Sequence, residues 1–234
     1  PVKAVLAVPT LSSPVGASMP LGERRRLAQM VAARGIPLIE DVLYNDLAEQ
    51  DDRRRAVKSF DPDGHVMICG SFSKTVAPGI RLGWVEAGRW GAAVRRLKAV
   101  HSGGHTELLE LAMADLLTQP GHESAYRQLR TLIAARVDEA RGLIAESFPR
   151  GTRVTDPAGG FILWVELPGG IDSMALYRAC LAACIGIARG KLLTAPARYR
   201  HCLRLGVGGR WDDGHRAALR RIGELARLAL GAAG

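Results

Sequence analysis

Four short apolar runs, separated by polar or helix-length stretches, constrain this fold more than any other feature. They are residues 2–8, closed by Pro9; residues 37–39, which lead into Glu40 and Asp41; residues 66–69; and residues 80–85. Between the first two, residues 10–20 carry Pro14, Gly16, Pro20 and three serines and read as a loop. Residues 21–34 place Leu27, Val31 and Ala32 at helical spacing and end at Gly35, so they read as a helix. Buried strands joined by helices predict a mainly parallel sheet covered on both faces. The highly charged residues 50–58 read as an exposed loop.

From about residue 88 the texture changes. Residues 88–100, 105–118 and 122–147 read as helices. Strand-like residues 153–155 and 161–165 follow, with Gly159 and Gly160 between them. A helix over 172–184, a strand over 203–207 and a closing amphipathic helix over 213–231 complete a smaller α+β unit. The expected fold class is therefore α/β, with a domain over residues 1–118 and a smaller C-terminal domain over 119–234. A buried strand at the very start implies a preceding element, so further polypeptide is expected upstream of Pro1.

At 234 residues and 47% hydrophobic content, a substantial core is available. No apolar run is long enough to span a bilayer and no signal-peptide pattern opens the chain, which predicts a cytoplasmic protein. Cys69, Cys180, Cys184 and Cys202 form no paired CxxC framework, so buried thiols are expected rather than disulfides or a metal site. The net charge of +9 comes from arginines scattered over several helices and predicts a solvated basic surface. No recognition-helix or zinc-finger pattern lies within the chain.

The chemistry-bearing residues cluster by type. Asp41 stands at the carboxyl end of an apolar strand, where α/β sheets meet their ligands, with Tyr44 three residues on. Lys74 follows Ser71, Phe72 and Ser73 directly after another apolar run, in a loop expected to tuck against the end of the sheet. An amine so placed can lose solvation and act as a nucleophile. Arg81 lies between Ile80 and Leu82, an uncomfortable place for a solvated charge. Its planar fork suits phosphate, with the Ser71 and Ser73 hydroxyls nearby. Arg204 sits between Leu203 and Leu205 in a second apolar run, where either a carboxylate ligand or a structural ion pair would explain it. His101 and His105 are interrupted by Gly103 and Gly104, and no metal site is expected.

In order and rough spacing, these residues resemble the fold-type I pyridoxal-phosphate (PLP) enzymes of the aspartate-aminotransferase superfamily. The matching positions are Pro9 with Ser13 to Gly16, Glu40 and Asp41 with Tyr44, Ser71 to Lys74, Ala77 to Gly83, Gly159 to Phe161 with Trp164, and Arg204 with Leu205. The resemblance implies that residues 1–118 are the C-terminal part of the large PLP-binding domain and residues 119–234 the small domain. It implies that Lys74 holds PLP as an internal aldimine and later carries a proton. Asp41 would keep the pyridine nitrogen protonated. Tyr44 and Ser13 would meet the ring oxygen; Ser71, Ser73 and Arg81 the phosphate; and Arg204 the substrate α-carboxylate. The family usually has asparagine where this chain has Ser13, and its early large-domain segment has no counterpart here.

Residues 71–84, and the stretch from His122 through Leu129 and Arg130 to Arg136, are similar to the aminotransferase-like domain of MocR-type, GntR-family regulators. They are also similar to aminoadipate-type aminotransferases. The implied function is transfer of an amino group between an amino acid and a 2-oxo acid through a Schiff base on Lys74. The alternative is an effector-sensing domain that binds PLP and an amino compound without efficient turnover. A lyase on the same fold is a third reading. A homodimer is implied, with DNA contacted only through a domain outside this chain and no membrane contact.

Overall fold

The computed structural model describes residues 1–49, 54–193 and 199–231. By contacts the chain divides into two units. The first is Pro1–Ser12 with Ala17–Arg130; the second is Ser13–Gly16 with Thr131–Gly234.

The first unit is built on a sheet of β1 (Val5–Ala7), β2 (Leu38–Asp41), β3 (Val66–Ser71) and β4 (Gly83–Glu86), in that order. The β1–β2 and β2–β3 pairs are parallel and β3–β4 is antiparallel. Helix α1 (Leu21–Ala33) is the crossover that a parallel β1–β2 pair requires. It ends where Gly35 takes a φ of 62°, with its N–H on the Ala32 carbonyl and the Ile36 N–H on that of Val31. Beneath it Ala28, Val31, Leu38, Val57 and Val66 pack together, with Leu27, Ile36 and Phe60 against them. Val31, Leu38, Val57 and Val66, the fully buried ones larger than alanine, each contribute about 1.5–3 kcal/mol by leaving water.

Several expectations are corrected here. β1 is buried on one face only: Val5 and Ala7 pack against this cluster, while Leu6, on the other face, is 72% exposed. The strand expected over 80–85 begins only at Gly83, since Pro78–Ile80 coil into a 3-10 turn and Arg81 is left-handed. Within the stretch read as an exposed loop, Val57 is fully buried and starts a 3-10 turn, Val57–Phe60, while residues 50–53 lie outside the described set. At the β3–β4 pair, Gly70 faces Trp84, and a Cβ on Gly70 would sit 2.8 Å from the indole ring. Trp84 therefore packs against a position that tolerates no side chain. After β4 come α2 (Gly91–His101) and α3 (Glu107–Thr118), then α4 (His122–Ser147), within which the chain passes into the second unit.

The second unit holds an antiparallel sheet of β5 (Arg153–Val154), β6 (Ile162–Glu166), β7 (Ala188–Arg189) and β8 (Cys202–Gly206), in the order β5-β6-β8-β7. Helices α5 (Ser173–Ala182), α6 (Gly190–Leu193) and α7 (Asp213–Gly231) complete it. Leu163, Val165, Leu176, Cys180, Leu203 and Ala226 are among its driest positions. α7 runs close to the end of α4, where a Cβ on Gly223 would collide with the Ser147 carbonyl. Cys180 and Cys202 are buried thiols, whereas Cys184 is exposed in the turn after α5. No helix among the described residues is long and apolar enough to cross a membrane, and no group of three or more His, Cys, Asp and Glu there could hold a metal ion.

Candidate active site

In the first unit, the parallel β2 and β3 end at one edge of the sheet. Asp41 pairs with Cys69, and Ser71 follows two residues later. This is the carboxyl edge, where α/β sheets bind their ligands. Asp41 closes a local turn by accepting the Leu43 N–H on Oδ1 at 2.9 Å. The chain then coils through the 3-10 turn Asn45–Leu47, which leaves Tyr44 9% exposed. The turn is held from outside: Arg130 of α4 donates to the Asp46 carbonyl at 3.0 Å and pairs with Glu123 at 2.9 Å. Burial, ahead of the surrounding charges, pushes the Asp46 carboxyl up. Burial also raises the Cys69 thiol, with the Asp41 and Glu40 charges adding to it.

Beyond Ser71 the chain turns at once, with the Val76 and Ala77 N–H groups both on the Phe72 carbonyl. That turn stacks the hydroxyls: Ser71 Oγ lies 3.0 Å from Ser73 Oγ and accepts the Ser73 N–H at 3.2 Å. Arg81 arrives from the next turn and donates from Nη1 to Ser73 Oγ at 3.4 Å. Its φ of 50° is left-handed, a conformation costing a non-glycine residue about 1–3 kcal/mol. Two hydroxyls and a guanidinium thus meet around one point, a donor set that fits a phosphate. Lys74 projects from the same turn. Both Lys74 and Arg81 are exposed in this structure, where the sequence led to an expectation of sheltered positions. Tyr126, buried on α4, supports the turn through Thr75 Oγ1 at 3.5 Å.

In the second unit, Arg204 lies on β8, opposite Trp164 of β6 and Ala188 of β7. It is half-buried, and its Nη1 donates to Ser13 Oγ at 3.1 Å. Ser13 comes from the short Ser13–Gly16 stretch that this unit claims from the start of the chain. The structure therefore brings together Asp41, Tyr44, Ser71, Ser73, Lys74 and Arg81 on one unit, and Ser13 with Arg204 on the other.

The burial of two charged side chains escaped the sequence reading. Arg24 and Glu40 are both 0% exposed. Glu40 accepts the Val57 and Lys58 N–H groups at 2.7 and 2.9 Å. Arg24 donates to the carbonyls of Met19, Arg55 and Pro9 at 2.9, 2.7 and 3.2 Å. Burial raises the Glu40 carboxyl, opposed by those two N–H groups and by the Arg24 charge. The signal was periodicity: Arg24 shares the buried stripe of α1 with Ala28 and Val31, and Glu40 shares a strand face with Leu38.

The uncharacterized HTH-type transcriptional regulator YjiR of Escherichia coli is 33% identical over 96% of this chain and 48% of its own length. The 2-aminoadipate transaminase of Thermus thermophilus is 27% identical over 92% of this chain and 55% of its own. The chain spans about half the length of the curated relatives it matches. Among solved structures, Pyrococcus horikoshii kynurenine aminotransferase, in complex with PMP, superposes with a TM-score of 0.87 at 26% identity, covering 98% of this chain and 57% of that one. LysN, the α-aminoadipate aminotransferase of Thermus thermophilus complexed with N-(5'-phosphopyridoxyl)-L-leucine, gives 0.84 at 26% identity, covering 97% and 59%. These relatives imply pyridoxal 5'-phosphate as the cofactor. The model for aminotransferase class I and II matches residues 2–222, and the chain belongs to that family.

Proposed function

We propose that this chain carries an aminotransferase-like PLP site that moves an amino group between an amino acid and a 2-oxo acid. The observation that carries the reading is the convergence of Ser71, Ser73 and Arg81 beside Lys74 at the carboxyl edge of the sheet. When bound, PLP supplies an electron sink for the substrate's α-carbon. Ser71, Ser73 and Arg81 hold its phosphate through charge-assisted hydrogen bonds. Asp41 holds a proton on the pyridine nitrogen, and Tyr44 and Ser13 serve the ring oxygen. Lys74 Nζ would hold the cofactor and, as a free amine, would be the group that carries the substrate's α-proton. Arg204 takes the substrate carboxylate through its planar fork.

In this reading residues 1–118 are the C-terminal part of a large cofactor domain, residues 119–234 the small domain, and the working protein a cytoplasmic homodimer. The similarity to YjiR favours a second reading on the same residues, a domain that senses an amino compound and signals to an attached DNA-binding domain.

The test uses full-length protein with PLP. A lysine-linked cofactor absorbance is expected in the wild type and absent in Lys74→Ala. Adding amino acids then separates the readings: conversion to the aminated cofactor supports transfer, and a lasting spectral change without conversion supports sensing. An absorbance that persists in Lys74→Ala removes the basis of both.

A further inference from the structure

The strand that delivers Asp41 is gripped by a buried charge cluster that the cofactor chemistry does not use. Side chains alternate along β2, so Leu38 and Glu40 are buried on one face while Asp41 lies on the other. Glu40 takes up the first N–H groups of the 3-10 turn Val57–Phe60. Arg24 binds carbonyls from both flanks of the loop between β1 and α1, Pro9 and Met19, and from Arg55 just before that turn. Glu40 thereby ties that turn to the residue next to Asp41, and Arg24, whose charge acts on Glu40, ties Pro9, Met19 and Arg55 to one another.

Burying full charges is a poor way to gain stability, since apolar residues of like volume often pack as well or better. Such a cluster supplies direction instead. Each hydrogen bond fixes a distance and an angle, which aliphatic packing does not. A rigid trans peptide links Glu40 to Asp41, their Cα atoms about 3.8 Å apart, so a slip at one is passed to the other.

We infer that Glu40, set by Arg24, is a positioning residue for Asp41 and holds that carboxylate where it meets the pyridine nitrogen of PLP. The inference rests on the PLP site proposed above. It predicts that an isosteric change at Glu40 alters the cofactor's environment beyond what lost stability explains.

Glu40→Gln keeps the volume but turns an NH2 group toward the N–H of Val57 or Lys58, donor against donor. Val57→Ala trims the same buried segment and leaves the carboxylate intact. PLP affinity and the lysine-linked absorbance are measured on full-length wild type and both variants, with thermal melts alongside. Glu40→Gln is expected to lose about tenfold in PLP affinity and to shift the absorbance maximum, while Val57→Ala melts lower with an unchanged spectrum. A loss of less than about threefold in Glu40→Gln, or the same spectrum and affinity in Val57→Ala, overturns the assignment. Should Glu40→Gln fail to fold, Arg24→Lys, which keeps the charge and loses the fork, carries the same two criteria. Absence of the lysine-linked absorbance in wild type would refute the PLP site itself, an outcome distinct from a normal wild type with an unaffected Glu40→Gln.

Discussion

Arg81 reaches Ser73 from a backbone conformation that few arginines adopt, and that makes it the sharpest residue-level test of the phosphate site. A hydrogen bond to a charged group is worth about 1.5–3 kcal/mol. Arg81→Ala is therefore expected to weaken PLP binding by about tenfold to a hundredfold, read by fluorescence or absorbance titration, with the lysine-linked absorbance restored at saturating PLP. Unchanged affinity would remove Arg81 from the site. These residues were legible in the sequence because their chemistry is local. Ser71, Ser73, Lys74 and Arg81 lie within eleven positions, so one turn suffices to join them. The left-handed backbone of Arg81 was not legible, because it depends on where β4 starts. Arg24 was hidden in a run of three arginines, of which only it is buried.

At the scale of elements, legibility followed length. α4 carries many turns of repeating pattern, and its observed span, His122–Ser147, equals the expected one. β7 has two residues, Ala188–Arg189, too few to show any period, and was missed. α5 is fixed at its start by Asp172, whose Oδ1 accepts the Met174 N–H at 2.7 Å. Arg200 first, then that N–H, hold the Asp172 carboxyl below its ordinary range. A carboxyl lowered in the folded state stabilises above its unfolded value and loses that contribution as pH falls through the folded one. Asp172→Ala is thus expected to cost about 0.5–2 kcal/mol at pH ~7, mostly through the cap, since the half-exposed Arg200 pair is screened by solvent. The difference from wild type should close in acid, at pH ~2. Hydrogen exchange of the α5 amides at the two pH values checks it, and an equal difference at both would refute the cap's role.

At the scale of the whole molecule, the Ser13–Arg204 hydrogen bond joins residues 191 apart in sequence. Arg204→Ala is expected to raise KM for amino acids, or the Kd for a carboxylate ligand in a sensor, by about tenfold or more, with PLP affinity unchanged. A loss of PLP binding instead would move Arg204 to the cofactor. By itself the sequence determined the fold class, the alternation of strand and helix and the Ser-Phe-Ser-Lys turn, because these follow from hydrophobic period and short-range chemistry. Tertiary structure alone decided that Ser13 belongs with Arg204, that Arg24 and Glu40 share the buried interior beside Asp41, and that Leu6 and Arg81 face outward. Those outcomes depend on which distant segments exclude water from one another, and no local pattern of residues carries that information.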